Sequence, residues 1–570
     1  MATVLPVHVP TLEESAPALQ AIAPLLPSPA ASDTFQGRWY EYVGAGDPLG
    51  DEADRATEDL EGLTLRDSLG IDVEAALAKV TTEWVEAQVG AAILQSAPER
   101  ALVELAAAGH AGTLIFPPPA PAGQLRVPAL TFRPLIEAID ADARRLARDP
   151  SQQDVRARTL MTVAQDGRAL NRTISMRLAE EVGERLLLER SMNLDDKRRR
   201  RLDELSREHA RRQRYAGAFG LAARRLAQEQ GAVSAPRLFR AFEAVAGLDK
   251  KALRRGPSEH LTVGLLATMA VEFYRALQDP GYMVSFLMLT FPIKNSSGLR
   301  TNVATEAADL GEVLMLAQFR RILQFLAGLG IPNARFVCLT DGVVYSRYLG
   351  PFDRVYPVFY RENVRQFRNA LGLAGRVLIV DAENLIRRIP EFDAALGRVR
   401  AALDRAEAES DLVHRKVLSL IRSFLFHIRA EGEDVELLAR IVNASLQGRE
   451  LDTPGARAEQ RRIWEKAAQD ARWYAAHLLL MSALDAVRNL VAVPYIRATV
   501  HPKPGQFAPA PVNGHDFNDL PYHRKPLLRA GANPLNLDTY VGANLWADPT
   551  LRFVDVYVGE NRSPFFGVCA

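Results

Sequence analysis

Apolar positions recur in two rhythms along this chain, and the change falls near residue 256. From about residue 134 to 253 they return every three or four positions in long Ala/Arg/Leu/Glu stretches, as at 174–189 and 202–230. That period predicts helices that pack one face. Beyond 256, short apolar runs at 283–289, 335–339, 376–380 and 495–500 alternate with helical patterns at about 305–329, 361–371 and 389–489. Val413, Val417, Leu420, Phe424 and Ile428 carry the helical spacing in the last of these. Runs that apolar suit strands covered on both faces, and strands separated by helices imply right-handed crossovers and a largely parallel sheet. The more regular alternation at 552–558 reads as a closing edge strand.

The predicted class is therefore α/β, with Rossmann-like crossovers in the C-terminal half and a mainly helical N-terminal region. The boundaries are a mixed region at 1–125, a helical domain at 126–255, and an α/β domain at 256–570 with a helical insertion at about 389–489. The first 32 residues, rich in Ala and Pro, read as a loosely held arm. Phe116 to Gly123, with four prolines, reads as a stiff connector.

Composition narrows the classes. With 570 residues, 48% hydrophobic and 24% charged, the chain is long enough for more than one domain and is not a disordered polymer. A net charge of +1 gives no overall bias toward nucleic acid or an anionic membrane. The basic run Lys197 to Arg201 is flanked by Asp195, Asp196, Asp203 and Glu204, the pattern of a solvated helix face. Two cysteines, Cys338 and Cys569, preclude a disulfide framework. No leader pattern or bilayer-length apolar run is seen, so the expected location is cytoplasmic. Of 70 basic side chains only 9 are lysines, and three of them (Lys294, Lys503 and Lys525) fall in the segments singled out next.

In open parallel sheets ligands bind beyond the carboxyl ends of the strands. Each of the four predicted strands runs into a polar turn. The first meets Lys294, Asn295 and Ser296; the second meets Asp341; the third meets Asp381, Glu383 and Asn384; the fourth meets His501 and Lys503. A partly desolvated Lys294 suits acid/base work or anion binding. His501 and Lys503 place imidazole and ammonium two residues apart, with His515 and His523 nearby. No carboxylate or cysteine at ligand spacing compels a metal there. Asp309-Leu310-Gly311-Glu312 opens a helix, where Glu312 either caps the first turn or faces the pocket. No phosphate-binding glycine loop, Gly-x-Ser-x-Gly or His-Glu-x-x-His is present.

Five ordered pieces carry a resemblance: Phe291-Pro292-Ile293-Lys294, Asp309-Leu310-Gly311-Glu312, Thr340-Asp341-Gly342, Arg497 followed at the fourth position by His501-Pro502, and Pro521-Tyr522-His523. Over roughly 260–385 and 490–530 the chain resembles the isonitrile (isocyanide) synthase family of the pyoverdine- and dityrosine-biosynthesis type. The resemblance implies a secondary-metabolic enzyme that turns the amine of an amino acid into an isonitrile. It takes the extra carbon from ribulose 5-phosphate as co-substrate, with no cofactor and no metal. It further implies Lys294 and His501 as acid/base groups and Asp341 as the carboxylate that orients or accepts a proton. Arg497, Lys503 and His523 would hold anions, and Asn295, Ser296 and Glu312 would line the substrate site. The implied partners are an amino-acid-derived small molecule and a sugar phosphate, a downstream oxygenase of the same pathway, and a second copy in a homodimer; neither nucleic acid nor membrane is among them. Three alternatives stand beside it: formyl or amide transfer to an amine on the same fold, a non-catalytic scaffold whose N-terminal helices do the work, and nucleic-acid binding through Lys197 to Arg201.

Overall fold

The computed structural model describes residues 64–67, 70–92, 127–131, 133–148, 196–252, 260–291, 308, 310–340, 355–425, 435–499, 504–509, 526–528, 538–539, 552–558 and 561–569. In chain order the elements are α1 (Val73–Leu77), α2 (Thr82–Ala92), β1 (Val127–Thr131), α3 (Arg133–Arg148), α4 (Asp196–Gln230), α5 (Ala235–Ala252), α6 (Val263–Gln278), β2 (Val284–Leu289), α7 (Leu310–Gly328), β3 (Ala334–Thr340), α8 (Val355–Ala370) and β4 (Val377–Asp381). They continue with α9 (Glu383–Ile386), α10 (Phe392–Glu409), α11 (Asp411–Leu425), α12 (Val435–Leu446), α13 (Pro454–Ala483), α14 (Ala486–Leu490), β5 (Ile496–Thr499), β6 (Pro526–Leu528), β7 (Asp538–Thr539), β8 (Arg552–Val558) and β9 (Asn561–Cys569). The chain is an α/β protein.

Four strands form an all-parallel sheet in the order β4-β3-β2-β5. Because side chains alternate across a strand, each strand feeds two cores. Phe286, Met288, Phe336, Cys338, Val377, Ile379, Ile496 and Ala498 face a layer built from α3 to α8. Leu287, Val337, Leu339, Leu378 and Val380 face a second layer built from α1, α2 and α10 to α14. Both faces are covered, which is why the strands read as unbroken apolar runs rather than alternating ones. Helices on either side of residue 255 thus share one core. Arg320 on α7 grips Asp140 on α3 through two bonds, of 2.8 and 2.7 Å. The helices within 389–489 pack together as the cover of the second face. Residues 64–66 join that cover through Leu65, which bridges antiparallel to Val491.

Within the first core a column of phenylalanines crosses the sheet face. Phe507 lies 5.7 Å from Phe286, Phe286 stacks on Phe336 at 4.8 Å, and Phe336 stacks on Phe319 of α7 at 4.2 Å. Phe319 meets Phe291 edge-on at 6.3 Å. Offset and edge-on contacts at these separations are the favourable ones for aromatic rings.

The expectation for 552–558 needs correcting. These residues form β8 of a second sheet, ordered β1-β8-β9-β6-β7, where β1 pairs with β8 in parallel and β9 pairs with it antiparallel. The strand is interior to that sheet rather than at the edge of the first. Alternation reports a difference between two faces and says nothing about neighbours. The helix expected at 361–371 also begins earlier, at Val355. The arm at 1–32, the connector at 116–123 and the helical stretch at 174–189 lie outside the described residues. Lys197 to Arg201 fall in α4. Among the described residues, no helix is long and apolar enough to cross a membrane.

Candidate functional site

Strand register sets the geometry. Leu289 near the end of β2 is the partner of both Leu339 on β3 and Thr499 on β5, and Thr340 is the partner of Asp381 on β4. All four strands therefore end at one level, about 4.8 Å apart from neighbour to neighbour. The ladder is closed there by Thr290 N–H to Leu339 O, 3.1 Å, and Ala382 N–H to Thr340 O, 2.8 Å. Helix α6 leads into β2, α7 joins β2 to β3, and α8 joins β3 to β4. Each must run against the strand direction, so three helix N-termini, the positive ends of their dipoles, stand at this same rim.

At the rim the chain takes three different courses. After β4 the carboxylate of Asp381 turns inward. It accepts a 2.6 Å bond from Arg361 Nη1 of α8 and a 2.9 Å bond from the Glu383 N–H. Asp381, one of the carboxylates expected at a strand end, is thereby taken up inside the protein. After β5 the chain closes a short loop. Phe507 N–H donates to Arg497 O and Thr499 N–H donates to Phe507 O, both at 2.8 Å. Within the closing segment Gly505 adopts a left-handed φ of 86° and donates its N–H to His260 O, 2.8 Å, just before α6. After β2, Phe291 turns sharply with a φ of 52° while its ring stays buried.

Of the residues that the resemblance assigns to the site, Glu312 and Arg497 are described. Glu312 stands in the first turn of α7, wholly enclosed, where its Oε1 accepts from the Tyr360 hydroxyl at 3.1 Å. It is not a solvent-facing cap. Arg497 is the partner of Leu287, so it lies two residues before the strand end and on the side of the helical cover. Burial lowers its basicity, against the opposing pull of Tyr495 and Asp485. Lys294, Asn295, Ser296, Asp341, His501, Lys503 and His523 lie outside the described residues. The segments that carry six of them begin at Phe291, Thr340 and Thr499, three positions the sheet holds together; His523 follows further along.

Sequence reasoning missed several residues that shape this rim. Tyr360 and Arg361 sit on one helix, and their partners Glu312 and Asp381 come from two other elements, so no local spacing announces either pair. His260 is half-buried, and desolvation, with Arg214 adding to it, lowers its pKa from the ordinary imidazole value. Nothing in its sequence neighbourhood marks it. Among the described residues no group of three or more His, Cys, Asp or Glu is arranged to hold a metal ion.

No family model matches the chain, and no curated protein matches its sequence. Among solved structures it is similar to the PvcA protein from Pseudomonas aeruginosa, with 15% identity and a TM-score of 0.35, over 57% of this chain and 99% of that one. A likeness of that extent says nothing about chemistry.

Proposed function

We propose that the chain is an isonitrile synthase-like enzyme, which condenses the amine of an amino acid with the carbonyl of ribulose 5-phosphate and fragments the adduct. The observation that carries this reading is the common level of β2, β3 and β5. The segments leaving those ends carry an ammonium (Lys294), a carboxylate (Asp341) and an imidazole (His501). The five ordered motif pieces around these residues supply the reaction class.

Condensation needs an acceptor for the proton of the attacking amine and a donor for the departing carbonyl oxygen. Lys294 and His501 take these roles, and Asp341 orients one of them. Fixed cations must hold phosphate and carboxylate, a task for Lys503 and His523, helped by the positive ends of α6, α7 and α8, while Arg497 lies too far down β5 and under the helical cover to join them. Asn295 and Ser296 line the substrate, while Glu312 is enclosed behind the rim and held by Tyr360. The site must also exclude water so that the imine is not hydrolysed.

The test is incubation of purified protein with ribulose 5-phosphate and a panel of amino acids, read by mass. A product that gains one carbon and loses two hydrogens supports the proposal. A product that gains carbon and oxygen instead identifies formyl transfer, and no product from any amine removes the reading. Lys294→Met abolishes the product while leaving the melting curve in place.

A further inference from the structure

The helical cover closes unevenly over the parallel sheet. Leu287, Val337, Leu339, Leu378 and Val380, which face it from β2, β3 and β4, are at most 7% exposed. At β5 the positions on that side are Tyr495, Arg497 and Thr499, and all three stay partly exposed, as does Leu289 beside Thr499. Their alternates Ile496 and Ala498 are fully buried against the other layer. A crevice therefore remains between β5 and the cover, with Arg497 at its middle position.

Other sheltered arginines have partners. Arg320, Arg321, Arg361 and Arg472 each meet a carboxylate, Arg335 donates to the Ser285 hydroxyl at 2.9 Å, and Arg365 donates to Ile379 O at 3.2 Å. Among the described residues no carboxylate comes within ion-pairing distance of Arg497, and its guanidinium makes no hydrogen bond. Asp485, the one acid whose charge it feels, is itself exposed and lies 3.6 Å from Arg488. Arg497 thus gives up hydration with no ion pair to offset the loss, and burial lowers its basicity accordingly. Beside it, burial raises the pKa of the Tyr495 phenol, which keeps that hydroxyl a donor. From this we infer that Arg497 is the base of an oxyanion-binding site in the crevice between β5 and the cover, apart from the rim. Its ligand is a small molecule bearing a carboxylate or phosphate group, either of which presents a pair of oxygens to the guanidinium fork. The inference does not depend on the isonitrile reading, because the crevice lies on the cover side of the sheet, two residues short of the strand ends.

The test compares the full-length parent with Arg497→Met, which keeps apolar bulk and removes the charge. Both are melted in sodium chloride, sodium acetate and sodium phosphate at matched pH and ionic strength. In chloride, Arg497→Met is expected to melt higher than the parent, because an enclosed charge without a partner opposes folding. An arginine with a merely structural role gives the opposite sign. Acetate or phosphate should raise the parent's midpoint above its value in chloride, and raise that of Arg497→Met less. Anion held at the rim acts on both proteins and cancels in the comparison. A response to acetate alone assigns a carboxylate ligand, and a response to phosphate assigns a phosphate group. Calorimetric titration with the responding anion should show one binding event of the parent weakened about 10-fold or more in the variant. An Arg497→Met chain that melts lower in chloride or fails to fold overturns the inference, as does an equal oxyanion response in both proteins. Absence of any isonitrile product would remove the reading of the rim and leave this result standing.

Discussion

Arg361 and Asp381 form an enclosed ion pair at the carboxyl end of the parallel sheet, 2.6 Å apart, with neither side chain more than 3% exposed. Helix α8 is thereby tied to the last residue of β4, and Asp381 also receives the Glu383 N–H. An enclosed pair adds little over an apolar substitute, but removing one partner strands the other charge. Asp381→Asn should therefore cost about 3–5 kcal/mol of unfolding free energy, read as the shift in urea midpoint. A loss below about 1 kcal/mol, the range of exposed pairs, would show that Arg361 is compensated elsewhere.

Two glycines in helices give opposite expectations. A methyl at Gly247 on α5 would run into the Phe325 ring, whereas one at Gly397 on α10 meets nothing within 4 Å. Alanine favours the helix by about 1 kcal/mol at both sites. Overpacking at Gly247 opposes this by about 1–3 kcal/mol and is expected to win. Thermal melts should show Gly247→Ala lowered and Gly397→Ala raised.

Tyr282, ahead of β2, donates to Glu272 at 2.6 Å. Burial first, then the Glu272 carboxylate, pushes its phenol up to about 12. With a folded pKa above the unfolded value, the protonated phenol stabilises the fold fully below about pH 10, and that contribution is lost as pH rises from about 10 to about 12. Urea midpoints of the parent and Tyr282→Phe should differ at pH 9 and converge through that window. A gap that stays constant would assign the stabilisation to packing.

Gly505 closes the loop after β5 with a φ of 86° and a bond to His260 O. A methyl there has room, its nearest neighbour being Thr262 Oγ1 at 3.9 Å, so alanine meets a backbone penalty alone. Gly505→Ala should cost about 1–2 kcal/mol and lower the rate of product formation; Gly505→Asn, which tolerates this conformation better, should fall between. Loss of stability with an unchanged rate would separate this loop from the chemistry.

The strands were legible because both faces of the sheet are covered. Runs such as 283–289 and 335–339 have no polar alternative to offer, and the structure places β2 and β3 within a residue or two of them. Helix α7 was legible from its periodicity and its acidic opening. The role of Glu312 was not, since Tyr360 reaches it from 48 residues away. Asp381 looked like a rim carboxylate by position, and only the packing of α8 against β4 shows it turned inward to Arg361. The second sheet was missed for a related reason: β8 pairs with β1 from the far end of the chain.

Local chemistry, then, was decided by the sequence alone. It set which segments are apolar enough to be buried strands, which keep helical spacing, and which polar residues follow each strand, because these depend on neighbours a few bonds apart. Which of those polar residues share a space was decided by the tertiary structure. Register between β2, β3 and β5, the inward turn of Asp381, the strained Phe291 and its column of rings all arise from contacts between residues tens to hundreds apart. Burial and packing select such contacts only once the chain has closed on itself.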